Sequence, residues 1–515
     1  MMLPNISREN GRVTLFVDSK PFYILGGEVH NSCASSLAYM ECSVWPLLRG
    51  LHLNTLALPV YWELTEPEEG TFDFSLVDGL LQQARREGLR LILLWFGLWK
   101  NAESTYVPGW VKRDTGRFFR ASLGPNEGPL RSDCLISPCC EAAVEADARA
   151  FGMLMRHLRE TDREEQTVIL VQVENEVGML GAPRDICPAA QAAFRSAVPE
   201  TVASRFGKRG SWEEAFGAQA SERFSSYCFA SAVERIARAG KREYPLPLYV
   251  NAWTVQHPGE RPGNYPSGGP VAEQWEMWKL CAPSIEFFSP DIYLTDFAAE
   301  CEKYQREDNA LFIPEAHNTV DAASFALYVA GCRNALGFSP FAIDTIPCYE
   351  APVFNGAAVQ EAFSLLRTRD NSKAAEYLSS VYGILDALWE IIEPRRGTGT
   401  VQSCLCMNQL RDGLEFEKYG ILVKYQRQDP SAPRGALLAI QLREERFFLA
   451  GINCTAEFLP AAFSRAEIVR LQEYTAQDGK LVPGRVFNGD EIRPSFGEKL
   501  TLLLAELHQV DAEPL

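Results

Sequence analysis

The chain has little positive charge and few histidines for its 515 residues. Lys and Arg number 50 against 67 Asp and Glu, the net charge is −17, and His occurs only 6 times. A nucleic-acid-binding protein needs a basic surface to displace counterions from phosphates, so nucleic acid is not expected as a partner. The sequence also has no HxH, HExxH, P-loop or GxSxG segment. These absences argue against a metal-dependent hydrolase, a phosphate-binding loop and a serine hydrolase, and we expect neither a metal nor a cofactor.

Long apolar runs and closely paired cysteines are missing as well. The longest apolar stretches, such as residues 91–97, have the length of a strand and fall short of the ~18 residues of a membrane helix. The start, MMLPNISRENGR, has no apolar core of the signal-peptide type. The 14 cysteines include no CxxC pair, which favours free thiols over disulfides or a zinc site. The sequence therefore predicts a cytoplasmic protein without a membrane segment.

Short apolar segments alternate with helix-like segments through about the first 390 residues, which is typical of βα units around a parallel sheet. Eight segments have the pattern of strands, at residues 22–30, 53–60, 89–96, 167–173, 246–252, 285–292, 310–316 and 335–343. Helical patterns lie between them, for example at 141–159 and at 212–239. The second begins with a capping box of Ser211 and Glu214. A doubly wound sheet is the alternative, but no glycine-rich phosphate loop follows the first strand. We predict a (β/α)8 TIM barrel over residues 1–395.

The sequence pattern changes after a helical stretch at residues 374–392. Residues 393–399, EPRRGTG, form a linker rich in residues that end helices and strands. Beyond it, residues 413–426, 435–453 and 466–486 alternate like antiparallel strands, and Asp478-Gly479 indicates a hairpin turn. We predict a smaller, sandwich-like β-rich accessory domain at residues 400–515.

Acidic residues gather where the predicted barrel strands end. Glu176 follows the fourth strand, Glu315 lies at the end of the seventh, Glu28 lies in the first, and Glu103 follows the third. The C-terminal ends of barrel strands carry the reactive side chains in this fold. Two carboxyl groups about 5–5.5 Å apart suit retaining glycoside hydrolysis, in which one is a protonated acid and the other an ionised nucleophile. The negative charge of the nucleophile would raise the pKa of the acid and keep it protonated near neutral pH.

The segment VQVENEVG at residues 171–178 closely resembles the acid/base motif of family 35 β-galactosidases. This resemblance implies that Glu176 is the acid/base and that Asn175 binds the sugar 2-hydroxyl. It covers about residues 20–345. PVYWELTEPEEGTFDFS at 59–75 is similar to the family's stretch after strand two, and SPDIY at 289–293 resembles strand six of relatives in the same clan. Glu103 falls in the position of a sugar-binding Ala-Glu pair.

The resemblance also implies that Glu315 is the nucleophile, in the segment FIPEAHN at residues 312–318. Here His317 stands where the family usually has an aromatic residue. Trp99 stands where a tyrosine commonly faces the sugar, so the sugar specificity is less well defined than the class of enzyme. Glu174 lies two residues before Glu176 and is expected on the same face of the strand as a supporting residue.

Further side chains have both a binding and a structural interpretation. Tyr293 is a candidate hydrogen-bond donor to the nucleophile or a packed aromatic of the barrel rim. Glu28, with His30, either lines the sugar pocket or forms a buried salt bridge. The candidate substrate-binding residues are Asn175, Glu103, Tyr293, Asn251, Trp253, Trp99, Glu28 and His317.

We predict from these features a retaining exo-β-glycosidase, first of all a β-galactosidase, that hydrolyses terminal non-reducing β-linked sugars. The alternatives are a related β-glycosidase acting on a glucoside, xyloside or arabinoside, and a barrel that binds carbohydrate without turning it over. The expected partner is a carbohydrate substrate, and a homo-oligomer is left open.

Overall fold

The computed structural model describes residues 2–9, 11–124, 131–257, 259–347, 370–426, 429, 431–460 and 464–511. The chain begins with a small antiparallel sheet whose strands follow each other in sequence order. Its strands are β1 (Asn5–Glu9), β2 (Arg12–Val17) and β3 (Lys20–Phe22).

The main body contains parallel strands in two sheets, with the orders β11-β9-β8-β7-β6-β5 and β10-β12-β4. These strands are β4 (Ile24–Leu25), β5 (Thr55–Tyr61), β6 (Arg90–Lys100), β7 (Val168–Asn175), β8 (Leu248–Trp253), β9 (Phe287–Ile292), β10 (Leu311–Ile313), β11 (Glu315–Ala316) and β12 (Ala335–Phe338). Every residue of β5 and β7 is buried, as expected for parallel strands that are covered on both faces. Strands adjacent in sequence are adjacent in the sheet, which excludes a doubly wound arrangement.

The two parallel sheets are joined at both sides. Glu28 forms single parallel bridges to Ala57 of β5 and to Phe341, just after β12. On the other side, β10 and β11 are two parts of one extended segment interrupted at Pro314, and β11 pairs with β9. The result is a TIM-barrel-like wall in which the eight predicted strand segments all take part.

Helices follow the strands of this wall. They are α1 (Leu37–Tyr39), α2 (Trp45–Leu48), α3 (Trp62–Thr65), α4 (Ser75–Glu87), α5 (Gly109–Arg113), α6 (Glu141–Thr161), α7 (Pro188–Arg195), α8 (Glu200–Phe206), α9 (Trp212–Phe216), α10 (Ala220–Glu243), α11 (Trp275–Cys281), α12 (Phe297–Tyr304), α13 (Ala322–Ala330) and α14 (Ala374–Ile392). The capping box of Ser211 and Glu214 is present at the start of α9. The single helix predicted at 212–239 is wrong. The backbone leaves the helical region at Gly217, with φ 54° and ψ −124°, and α10 begins three residues later.

The C-terminal strands form two antiparallel sheets, of six strands in the order β13-β16-β17-β22-β19-β20 and of four in the order β14-β15-β18-β21. They are β13 (Val401–Leu405), β14 (Arg411–Glu415), β15 (Tyr419–Tyr425), β16 (Ala436–Arg443), β17 (Arg446–Ile452), β18 (Cys454–Pro460), β19 (Ser464–Gln477), β20 (Lys480–Phe487), β21 (Ser495–Phe496) and β22 (Thr501–Asp511). Asp478 and Gly479, both at positive φ, form the predicted turn between β19 and β20.

The inner strands of the six-stranded sheet are apolar on both faces. Along β16, Leu437 and Ala439 pack with the four-stranded sheet, whereas Leu438 and Ile440 belong to the core that also fills the barrel. An ion pair between Asp321, at the start of α13, and Arg434, ahead of β16, lies across the same junction. The described residues therefore form a continuous apolar core across the predicted domain boundary.

The cysteines and the helices of the described residues bear on the expected free thiols and on the expected absence of a membrane segment. The thirteen cysteines within the described ranges are free thiols, and most of them are buried. Among the helices of the described residues, none is both long and apolar enough to cross a bilayer.

Candidate active site

Glu176 and Glu315 come together at the C-terminal ends of β7 and β11. One carboxylate oxygen each of Glu176, Glu315 and Asp291 lies within 4.8 Å of the other two. The two glutamates are 6% and 4% exposed, so they lie in an almost closed space. This upper bound on the distance between their oxygens is closer to the ~5–5.5 Å of a retaining pair than to the ~6.5–9.5 Å of an inverting pair.

The turn that places Glu176 departs from strand geometry. Glu174 and Glu176 have φ of 62° and 45°, in the left-handed region. The neighbouring loop after β6 bonds to the same turn, because the backbone N–H groups of Asn101 and Ala102 donate to the carbonyl oxygens of Asn175 and Glu176, both at 3.2 Å. The two loops therefore hold each other in place.

This turn overturns the expectation that Glu174 shares a face with Glu176. The side chain of Glu174 leaves the barrel interior, and its Oε2 accepts a hydrogen bond from the backbone N–H of Trp99 at 2.6 Å. Burial and the nearby carboxyl group of Asp147 on α6 raise its pKa well above the usual range. The strand alternation on which the expectation rested ends at residue 174, where the backbone becomes left-handed.

Glu315 is surrounded by neutral hydrogen-bond donors. The hydroxyl of Tyr293 donates to Oε2 at 2.7 Å, and the side-chain amides of Asn175 and Asn251 donate to Oε1 at 3.2 and 3.3 Å. Donors of this kind stabilise a carboxylate anion without neutralising it. The surroundings suit a carboxylate that has to attack as an anion.

The surroundings of Glu176 favour the protonated, neutral form of its carboxyl group. Burial first, and then the negative charge of Glu315, raise its pKa to about 7, against smaller opposing effects of Lys100 and Asp291. Its backbone N–H donates to Oδ1 of Asn251 at 2.9 Å, so Asn251 contacts both glutamates. Glu176 can therefore carry a proton near neutral pH, as the acid of a glycosidase pair must.

Two residues of this cluster escaped the sequence analysis. Lys100, at the end of β6, is buried and donates from Nζ to Oδ1 of Asn175 at 2.9 Å. Asp291 is buried next to the glutamates, and its Oδ2 accepts a hydrogen bond from Asn251 at 2.7 Å. Burial and the charges of Glu315 and Glu176 raise the pKa of Asp291 well above the usual range. A signal for both was available, since Lys100 ends a long apolar strand and Asp291 lies two residues before Tyr293.

Glu28 belongs to the same electrostatic group. Its side chain is fully buried, and neither carboxylate oxygen has a hydrogen-bond partner among the described residues. Burial and the charge of Glu315 raise its pKa well above the usual range. The alternative of a buried first-strand salt bridge is not seen in this part of the chain, because His30 pairs with Asp344 instead.

The other candidates have contacts of their own. Glu103 accepts backbone N–H groups of Asp133 and Cys134 at 2.6 and 2.8 Å, which fixes the loop after β6. His317 lies within hydrogen-bond distance of the Thr319 hydroxyl, at 2.8 Å from Nδ1. Trp253 is half-buried at the end of β8.

Trp99 requires a correction. Its indole is fully buried, donates to the carbonyl of Ile136 at 3.0 Å and packs edge-on against Phe229 of α10. Lys100, the next residue, points to Asn175 in the cluster, so Trp99 lies on the outer face of β6, under the helices. It is a core residue and does not face a sugar.

The three carboxylates also raise the question of a metal ion, because hard cations bind to groups of oxygen atoms. The hydrogen-bond donors argue against it here. Tyr293, Asn175 and Asn251 already direct O–H and N–H groups at Glu315, and the ammonium group of Lys100 lies against Asn175. A divalent cation would face these donors and a positive charge, so the cluster is better suited to sugar hydroxyls and proton transfer.

Comparisons with known proteins agree with this chemistry. A family model described as "Beta-galactosidase", that of glycoside hydrolase family 42, matches residues 45–228, which include Asn175 and Glu176. A curated β-galactosidase from Xanthomonas manihotis is 31% identical over 172 residues, which are 32% of this chain and 25% of that protein. These matches support a glycoside hydrolase of the β-galactosidase-like kind. The chain spans about a quarter of the length of that relative, and the resemblance to family 35 is not confirmed.

The remaining comparisons concern the C-terminal region and the overall fold. A model described as a domain of unknown function matches residues 378–496, from within α14 to β21. The β-galactosidase of Bacillus circulans sp. alkalophilus has 11% identity and a TM-score of 0.49, with 94% of this chain and 99% of that chain covered. The β-galactosidase of Rahnella sp. R3 has 12% identity and a TM-score of 0.48, with 95% and 99% covered. At such identities the substrate and mechanism have to be argued from the site itself.

Proposed function

We propose that the protein is a retaining exo-β-galactosidase with Glu176 as acid/base and Glu315 as nucleophile. One observation carries the proposal: an oxygen of Glu176 lies within 4.8 Å of an oxygen of Glu315, the pKa of Glu176 is raised to about 7, and Glu315 accepts hydrogen bonds from three neutral donors. The low exposure of both groups favours a closed pocket that admits one terminal sugar, hence exo action. Galactose is proposed because the matched family model and the curated relative are both described as β-galactosidases.

The proposed reaction has two displacements. Glu315 attacks the anomeric carbon while Glu176 gives its proton to the glycosidic oxygen, so the aglycone leaves as an alcohol and a glycosyl ester forms on Glu315. Glu176, now a carboxylate, takes a proton from a water molecule, and the resulting hydroxyl attacks the anomeric carbon. The ester bond breaks, the sugar leaves with its original anomeric configuration, and both carboxyl groups regain their starting charges.

The neighbouring residues are assigned supporting roles. Tyr293 and Asn251 hold Glu315 in place through their hydrogen bonds, and Asn251 also fixes the backbone of Glu176. Asn175, held by Lys100, directs its amide to the space beside Glu315 where a sugar 2-hydroxyl would lie. We further propose that the two parallel sheets act as one (β/α)8 barrel that presents these residues at its mouth.

Covalent trapping tests the proposal. A 2-deoxy-2-fluoro-β-galactoside with a good leaving group should inactivate the enzyme with a single adduct, and peptide mapping should find it on Glu315. The product of early turnover, followed by NMR, should be the β-anomer. An adduct on another residue, or the α-anomer as first product, would contradict the assignment. A panel of aryl galactosides, glucosides, xylosides and arabinosides tests the sugar separately.

A further inference from the structure

A second cluster of reactive side chains lies at the barrel rim, two residues beyond Glu28. His30 follows β4, Cys33 begins the short 3-10 helix Cys33–Ser35, and Asp344 lies in the 3-10 helix Ile343–Thr345 after β12. One ligand-type atom of each lies within 4.8 Å of the other two. Cys33 and Asp344 are buried, whereas the His30 side chain is 31% exposed. A thiol, an imidazole and a carboxylate thus converge on one point that is open to solvent on one side.

We propose that His30, Cys33 and Asp344 form a binding site for a thiophilic divalent cation, with Zn²⁺ as the best fit. Zinc binds to Cys sulfur, His nitrogen and Asp oxygen, and sites with three protein ligands complete the tetrahedron with water. Calcium and magnesium prefer all-oxygen sites and would not take the thiolate. None of the three residues acts in the proposed hydrolysis, so the inference is independent of it.

The distances fit a tetrahedral site after a small adjustment. Zinc–ligand bonds of about 2.0–2.3 Å at tetrahedral angles put the ligand atoms about 3.4–3.6 Å apart. Asp344 Oδ2 lies 3.0 Å from His30 Nδ1 and 3.3 Å from Cys33 Sγ. These two edges need to lengthen by a few tenths of an ångström, and along the third edge a ring nitrogen of His30 lies within 4.8 Å of Cys33 Sγ.

The surrounding contacts orient the ligands without using their coordinating atoms. The backbone N–H of His30 donates to Asp344 Oδ1 at 3.0 Å, which leaves Oδ2 as the oxygen shared by His30 and Cys33. The backbone N–H of Cys33 donates to the carbonyl of His30 at 3.0 Å. Phe341 packs edge-on against the imidazole of His30. On binding, the Cys33 thiol releases its proton to solvent, and the metal takes the place of the hydrogen bonds to Asp344 Oδ2.

The bound ion would link two ends of the parallel wall. His30 and Cys33 follow the first barrel strand and Asp344 follows the last, where Glu28 makes single bridges to both neighbours. A metal there closes the rim next to the proposed pocket. We therefore expect it to raise the thermal midpoint of the folded protein rather than to take part in sugar chemistry.

Zinc binding to the full chain tests the site. The protein is treated with a chelator, desalted and titrated with ZnCl₂, and we expect saturation at one ion per chain together with a higher thermal midpoint. Loading with Co²⁺ should give a thiolate-to-cobalt charge-transfer band. Cys33→Ser should abolish this band and weaken zinc binding by more than the ~10–100-fold that loss of an outer partner costs. Cys42→Ser is the matched control, because Cys42 is an exposed thiol nine residues after Cys33 in the sequence, and this variant should bind zinc as the parent does.

Two further measurements keep the test decisive. Asp344→Asn and His30→Ala should each weaken binding, and circular dichroism of the metal-free variants checks that they fold. Two results would overturn the proposal: the absence of saturable zinc binding by the parent, or zinc binding that Cys33→Ser leaves unchanged. In either case the cluster is a His30–Asp344 ion pair with a hydrogen-bonded thiol.

Discussion

Replacing Glu176 by glutamine should stabilise the protein at alkaline pH while it removes activity. The pKa of Glu176 is raised from 4.5 to about 7, chiefly by burial and then by the charge of Glu315. Each pKa unit corresponds to about 1.4 kcal/mol, so keeping the ionised carboxylate in its folded position costs about 3 kcal/mol. Glutamine has nearly the same shape and carries no charge, so the variant avoids this cost.

The sign of the pH dependence follows from proton binding. Below pH 4.5 the carboxyl group is protonated in both states and contributes nothing. Between pH 4.5 and about 7 the unfolded chain releases the proton and the folded protein keeps it, so the free energy of unfolding falls as pH rises. Above pH 7 the full cost is present. The stability gain of Glu176→Gln should therefore grow from pH 4.5 to 7 and then level off.

Urea unfolding of the parent and of Glu176→Gln at a series of pH values measures this gain. The quantity of interest is the difference between the two free energies of unfolding as a function of pH, which cancels the shared groups that do not interact with Glu176. Glu200→Gln is the control, because the Glu200 side chain is 70% exposed on α8, where it pairs with Arg209, and its difference serves as the baseline for a surface carboxylate. A flat difference for Glu176→Gln, or one that falls with pH, would refute the claim that burial holds this group protonated.

Three further predictions concern activity. Glu176→Gln should lose most of its activity on substrates with poor leaving groups and less on activated aryl glycosides, whereas Glu315→Gln should be nearly inactive on both; equal, mild losses in steady-state assays would contradict the roles. Tyr293→Phe removes the 2.7 Å hydrogen bond to Glu315. A hydrogen bond to a charged group is worth about 1.5–3 kcal/mol, so kcat/KM should fall about 10- to 100-fold, and an unchanged value would exclude a positioning role. Lys100→Met removes a positive charge that lowers the pKa of Glu176. The alkaline limb of its kcat/KM profile should move to higher pH, and a shift to lower pH would contradict this electrostatic effect.

Much of the fold could be predicted from the sequence, because the signals are local. The helix predicted at 374–392 coincides with α14, and the capping box at Ser211 and the turn at Asp478-Gly479 lie where they were expected. Each depends on hydrogen bonds and backbone angles within a few residues. The strand ends were less predictable. The third strand continues to Lys100, four residues past its predicted end, because contacts with the turn after β7 extend it.

The site could be predicted only in part. The pairing of Glu176 with Glu315 follows from the rule that barrel strands end at one rim. Strand alternation could not show that Glu176 faces the barrel interior and Glu174 does not, because the left-handed turn at Glu174 reverses the expected side. The cluster of His30, Cys33 and Asp344 was invisible for another reason: two of its members are three residues apart, and the third lies 311 residues from Cys33. No spacing motif can report such a contact, although the rule on strand ends places both segments at the same rim.

The turns that carry the candidate active site combine several features that lower the stability of the folded protein. Asn101, Ala102, Glu174 and Glu176 all adopt left-handed backbone conformations, each of which costs about 1–3 kcal/mol for a residue other than glycine. The carboxyl groups gathered at the barrel mouth add the cost of burial next to like charges. Such a site persists only if the rest of the structure holds it. The loop after β6 and the turn after β7 do this directly, since Asn101 and Ala102 donate to the carbonyl oxygens of Asn175 and Glu176, and both lie on a barrel whose apolar core continues into the six-stranded sheet.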